Sequence, residues 1–248
     1  MTQTPLEEGP RLVRRAADGG LALRLFGGVA IWHRSATATR EALGRDYGDL
    51  DLVAHRKGSR ELRDLLEAEG YAPERTFNAA HGDRRLIYHA PDGSFHIDVF
   101  LDRFEMSHTL DFSERLEVEE PALPAADLLL AKLQVAEVNR KDLTDAAMLL
   151  LDHELGDDDG PGRLGGARLD AACGADWGLY TTATDNLATL DELAPALPLR
   201  PERIDVLTAR SGALRQRLED APKTRAWRMR AKVGRRKRWY EVPEEVHR

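Results

Sequence analysis

At 248 residues, 42% of them apolar and 32% charged, the chain is long enough for one large domain or two smaller ones, and its composition is that of an ordinary globular protein. Its single cysteine, Cys173, excludes an internal disulfide and any cysteine-built zinc cluster. No apolar run reaches the length of a membrane span, and residues 1–10 lack the basic and apolar regions of a signal peptide, so a cytoplasmic protein with no membrane partner is expected.

Charge is unevenly spread. The net value of −7 conceals ten Lys/Arg against three Asp/Glu in residues 223–248, so residues 1–222 sum to −14. A basic end on an acidic body has two readings: a surface for nucleic acid, or a tail docked on its own domain.

Residues 21–26 read as a short strand that ends at Gly27-Gly28, and residues 29–43 as a helix starting on that glycine turn. A loop with Arg45, Asp46 and Tyr47 follows, then a second strand over residues 49–54. Here Asp49 and Asp51 alternate with Leu50 and Leu52, so both carboxylates point to one face and both leucines to the other. Residues two apart on a strand lie about 6–7 Å apart, which lets two carboxylates share hard cations. Two like charges that close are costly without a cation between them, and the pattern points to a metal-dependent phosphoryl-type site. The glycine pair suits it: Gly27 and Gly28 permit close backbone approach, and amides opening the next helix can bind phosphate oxygens.

Ser59 is read as the N-cap of a helix over residues 60–69, ended by Gly70. Residues 84–89 and 94–101 form two strands joined by the hairpin signal Ala90-Pro91-Asp92-Gly93, and residues 110–118 suggest an edge strand. The second of the pair centres on Asp98; placed beside residues 49–54, it adds a third carboxylate, and three can hold two Mg²⁺ ions. His96 shares the face of Asp98 and reads as an ordinary strand histidine.

After residue 120 the pattern turns helical, with helices over residues 124–138, 143–151, 167–173, 177–193 and 201–218 and a Gly/Asp-rich loop at 156–166. Lys132 on an apolar face has the bland reading of a snorkelling lysine. Asp142 reads in part as an N-cap for the helix beginning at Leu143, Lys141 and Asp145 as surface charges, and Cys173 as buried. The basic tail interleaves Trp227, Trp239 and Tyr240 with Arg and Lys, a mix able to grip phosphates and stack bases.

The order strand, Gly27-Gly28, helix, loop, Asp49-x-Asp51 strand, with Asp98 on a later strand, resembles the DNA polymerase β-like nucleotidyltransferase superfamily over residues 23–101. Residues 128–133, followed by Arg140-Lys141-Asp142 and Asp145, are similar to the helical segment of AbiEii- and MenT-type bacterial nucleotidyltransferases. The resemblance implies an α+β fold, a small mixed sheet with flanking helices followed by a helical C-terminal domain; the change of pattern places the first over residues 1–120 and the second over 121–222, and charge marks the basic tail over 223–248. It implies an enzyme that moves a nucleotidyl group from ATP or another NTP to a hydroxyl acceptor with Mg²⁺. Asp49, Asp51 and Asp98 would be the metal ligands, Gly27 and Gly28 would bind the nucleotide, and Lys132 and Asp142 would complete the site. The acceptor remains open among a tRNA 3′ end, a protein and a small molecule such as an aminoglycoside; a toxin role would add a cognate antitoxin. A second class, a catalytically silent nucleotide- or RNA-binding module, is countered by the two facing carboxylates. A kinase of the aminoglycoside type is countered by the lack of a catalytic-loop Asp with a following Asn.

Overall fold

The chain alternates helix and strand through its first half and is helical through most of its second. The computed structural model describes residues 4–242, so residues 243–248 of the basic tail lie outside the described residues. In chain order come α1 (Pro5–Asp18), β1 (Leu23–Leu25), α2 (Gly27–Arg34), α3 (Thr37–Leu43), β2 (Asp49–Ala54), α4 (Ser59–Ala68), β3 (Ala72–Pro73) and α5 (Arg75–His81). Then follow β4 (Arg85–His89), β5 (His96–Leu101), β6 (Arg103–Glu105), β7 (Thr109–Asp111), α6 (Ala125–Leu133) and α7 (Arg140–Asp152). The last elements are β8 (Glu154–Gly156), β9 (Arg163–Gly165), α8 (Gly166–Ala175), α9 (Trp177–Leu193), α10 (Pro201–Asp220) and α11 (Arg225–Val233). Among the described residues no helix is long and apolar enough to cross a membrane.

The fold is α+β, with a mixed five-stranded sheet and flanking helices. Two units divide it: one holds the residues up to Arg34, Arg45–Phe104 and Asp111–Leu123; the other holds Ser35–Gly44, Glu105–Leu110 and the described residues from Pro124 on.

In the first unit the strand order is β1-β2-β5-β4-β3, and β2 and β5 are the one parallel pair. Period-two alternation gives this sheet its faces. Leu50 and Leu52 of β2, Ile97 and Val99 of β5, and Leu86 and Tyr88 of β4 are all buried, and α1 packs beneath β1 and β2 through Leu12, Val13 and Ala16. Gly9 is the point of closest approach, since a Cβ there would stand 2.6 Å from Cδ2 of Leu25.

The sequence reading begins its elements at residue 21 and misses α1, which carries Pro10 within it. Pro10 has no N–H to give to the carbonyl of Leu6 four residues back. The ring of His33 takes that place, with Nε2 donating to the Leu6 oxygen at 2.9 Å.

Three further expectations are corrected. The single helix over residues 29–43 is two, α2 and α3: Ala36 is extended, its N–H donates to Oδ2 of Asp152 at 2.8 Å, and the Thr39 hydroxyl donates to Oδ1 at 2.7 Å. A carboxylate from α7 thus sits at the N-terminus of α3, where the helix dipole favours negative charge. Ser59 is not a cap but the first residue of α4, already helical, and no side chain caps that end. The Gly/Asp-rich segment contains β9, which pairs in parallel with β8 just before it.

In the second unit α6 is buried nearly all round and packs against α7, α8 and α9. A helix apolar on every side belongs inside a bundle, and the charges it carries need partners. Fully buried Asp127 accepts from Nε of Arg168 at 2.7 Å.

Candidate functional site

The glycine turn and the two carboxylates meet through the backbone first. The N–H of Phe26 donates to the carbonyl of Asp51 at 2.9 Å, which holds the end of β1 against the middle of β2. Gly27 then turns with φ of +60°, a conformation that favours glycine. A Cβ on it would lie 2.1 Å from Oδ2 of Asp51, so the carboxylate rests on the bare Cα. A Cβ on Gly28 would meet Nη2 of Arg45 at 2.7 Å and Cε1 of Tyr47 at 2.9 Å. Arg45 itself stacks on the Tyr47 ring, 4.6 Å from its centroid. These two loop side chains close over the turn, a role that the sequence reading did not give them.

Asp49 and Asp51 are half-buried and face the same way on β2. Across the parallel ladder, Asp51 pairs with Asp98 and Asp49 with His96, on strands about 4.8 Å apart. Asp98 is only 2% exposed and is already engaged. Arg85 donates to its Oδ1 from Nε at 2.9 Å and approaches it with Nη2 at 2.8 Å, while Nε2 of His96 lies 3.4 Å from Oδ2. Burial raises the Asp98 carboxyl, but His96 and Arg85 outweigh it and hold the group below the usual carboxylate range. The Arg85 guanidinium in turn sits over Phe100 and Phe77, 5.2 and 5.6 Å from their ring centroids. Phe100 also meets Phe26 and Phe104 edge-on, at 5.7 and 4.9 Å, giving the carboxylate face an apolar wall.

The donor set suits Mg²⁺ in part. Asp49 and Asp51 offer hard oxygens on one face, and Mg²⁺ needs only one or two carboxylates when waters and phosphate oxygens fill its octahedron. Asp98, the expected third ligand, is also the carboxylate that Arg85 pairs with, and among the described residues no group of three or more His, Cys, Asp or Glu is arranged to hold a metal ion.

In the second unit, Lys132 near the end of α6 lies between two carboxylates of α7. Its Nζ is 2.9 Å from Oδ1 of Asp142 and 2.9 Å from Oδ2 of Asp145, which is 1% exposed. Burial lowers the lysine pKa, yet Asp145 and Asp142 outweigh it and leave the ammonium more firmly protonated than usual. Lys132 and Asp142 therefore come together as the sequence pairing suggests, but two other readings change. Asp145 is a buried partner and not a surface charge, and the cap of α7 is Asn139, whose Oδ1 accepts from the Asp142 N–H at 3.0 Å. The i, i+3 spacing of Asp142 and Asp145 was the available signal, since it sets both on one helix face. Cys173 is fully buried, and burial pushes its thiol up to about 12.

No protein-family model matches the chain, and no curated protein matches its sequence.

Proposed function

We propose that the chain is a Mg²⁺-dependent nucleotidyltransferase of the DNA polymerase β-like superfamily, its first unit the nucleotidyltransferase fold and its second the helical C-terminal domain. The reading rests chiefly on one arrangement: Asp49 and Asp51 on one face of β2, with Asp51 seated on Gly27 of the turn that opens α2. In the reaction an acceptor hydroxyl oxygen bonds to the α-phosphorus of an NTP, the bond to the β-phosphate oxygen breaks, pyrophosphate leaves and the hydroxyl proton passes to water. Asp49 and Asp51 would hold Mg²⁺, which when bound neutralises triphosphate charge and acidifies the acceptor hydroxyl. The chain's own part is positional: backbone amides of the Gly27-Gly28 turn would meet the triphosphate, and Arg45 on Tyr47 places a planar cation beside that turn. Asp98 orients Arg85 towards the same sheet face. Lys132, by its resemblance to the toxin enzymes, is the proposed triphosphate cation, held by Asp142 and Asp145. The proposed acceptor is an RNA 3′ end, and a cognate antitoxin would follow if the chain is a toxin.

A second reading is a catalytically silent nucleotide-binding module; the observation favouring it is the occupied Asp98. Incubation with each labelled NTP, Mg²⁺ and total tRNA, beside an Asp49→Ala/Asp51→Ala variant, separates the two. Label transfer that the variant loses supports the enzyme. Mg²⁺-dependent NTP binding without transfer to any acceptor supports the silent module.

A further inference from the structure

We infer that α11 and the segment after it form a preassembled docking surface for unpaired RNA. Between Lys223 and Val242 there are nine Lys/Arg and one acidic residue, Glu241, in a chain whose remainder is acidic. The segment is folded and anchored on its own unit. Thr224 caps α11 by accepting from the Trp227 N–H at 3.1 Å, and its own N–H donates to the carbonyl of Gly174 at 2.9 Å. Trp227 packs edge-on against Tyr180, Trp239 against Trp177, and Nε1 of Trp239 donates to the Thr182 hydroxyl at 3.1 Å. Farther along, the N–H of Glu241 donates to the carbonyl of Ser107 at 3.0 Å.

Anchoring uses the aromatic side chains and only some of the cations. Arg235 pairs with both oxygens of Asp185 at 2.8 Å, and Lys223, Arg228 and Arg230 donate to backbone carbonyls. Among the described residues, Arg225, Lys232, Arg236 and Lys237 have no ion pair, and all four are exposed. Arg225, Arg228 and Lys232 recur at i, i+3 and i+7, so they form one outward stripe along α11. Clustered like charges are costly unless an anion comes to them, and a phosphate chain is the anion whose charges repeat along a line.

The aromatic rings decide between unpaired strand and duplex. Trp227, Trp239 and Tyr240 are each half-exposed, and guanidinium groups lie 4.9 Å from the Trp239 centroid and 5.8 Å from that of Tyr240. Rings and guanidinium planes offer stacking to splayed bases, which a closed duplex does not present. A membrane surface fits less well: Met229, 61% exposed, and Val233 are the only large apolar side chains exposed on α11, too little to bury in lipid. The surface rests on the nucleotidyltransferase reading only where it makes RNA the acceptor.

The test is fluorescence anisotropy on the full chain without NTP or Mg²⁺, with a labelled unpaired oligoribonucleotide of about 16 nucleotides. The wild type should bind at about 50 mM salt and weaken steeply as salt rises. Arg225→Gln/Arg228→Gln/Lys232→Gln should bind at least tenfold more weakly, with a salt slope shallower by roughly 2, as three lost phosphate contacts on a single strand require. An unchanged melting temperature shows the variant folded. Asp49→Ala/Asp51→Ala should bind RNA like the wild type, so a failure of the chemistry is told apart from a failure of the surface. The inference falls if the wild type does not bind, if the triple variant binds equally well, or if duplex DNA or phosphatidylserine vesicles bind more tightly than the RNA.

Discussion

The Asp51 carboxylate rests on Gly27: a Cβ at residue 27 would stand 2.1 Å from Oδ2, well inside any contact distance. Gly27→Ala therefore moves the carboxylate as well as straining the turn. The left-handed backbone at φ of +60° alone costs roughly 1–2 kcal/mol with a side chain present. Nucleotidyl transfer should fall at least tenfold. Gly20 is the control, having φ of +73° and open space around it, so Gly20→Ala should lose comparable stability in urea unfolding and keep its activity.

Arg85 and Asp98 form an ion pair in the first unit's sheet, and its carboxylate is buried. Arg85→Ala leaves a carboxylate that is 2% exposed, with His96 beside it and Asp51 across the ladder. Removing one partner of a buried pair costs about 3–5 kcal/mol, and the lower end applies because Arg85 is partly exposed. Adding Asp98→Asn should restore much of that loss, a coupling that a double-mutant cycle in urea reads directly.

What was legible in the sequence followed from period and chemistry. The Asp49–Ala54 strand and the Trp177–Leu193 helix stand at the bounds that their patterns predict, and the hairpin signal at Pro91-Asp92-Gly93 does join β4 to β5. What escaped depended on groups distant in sequence. No local pattern tells that His33 will fill the hydrogen bond lost at Pro10, or that Asp152 will start α3 after Ala36. The site shows the same division. Alternation put Asp49 and Asp51 on one face, but Arg85 on Asp98 and Arg45 with Tyr47 on Gly28 exist only through packing.

His55 brings a pH-dependent contribution to the first unit. It lines a cavity of about 620 Å³ together with Leu21, Lys57, Glu61, Asp102 and Ser113. Its Nε2 lies 2.8 Å from Glu117 and its Nδ1 3.3 Å from Asp102. Burial lowers its pKa, but Glu117 and Asp102 outweigh burial and raise it above the ordinary 6.5. A raised folded pKa means stability that is fully present below the unfolded value and lost as pH rises through the folded one. The melting temperature lost in His55→Gln should thus be largest near pH 6 and fade towards pH 9. The effect is small, about 1 kcal/mol at most, because Glu117 is largely exposed. A loss that grows with pH would show that the imidazole is held neutral.

Lys132 carries two carboxylates, and its removal exposes what each is worth. Lys132→Met keeps most of the apolar stem and removes the cation that lies between Asp142 and Asp145. Asp145 is 1% exposed, and removing the cation of a buried pair should cost about 3–5 kcal/mol at neutral pH. Lys132→Met/Asp145→Asn should recover most of the stability. That double variant also separates the two roles of the lysine. If Lys132 only fixes α7 against α6, the rescued protein transfers nucleotide normally. If its charge also serves the triphosphate, stability returns while NTP binding stays weak, which unfolding and equilibrium binding measured on the same variant will distinguish.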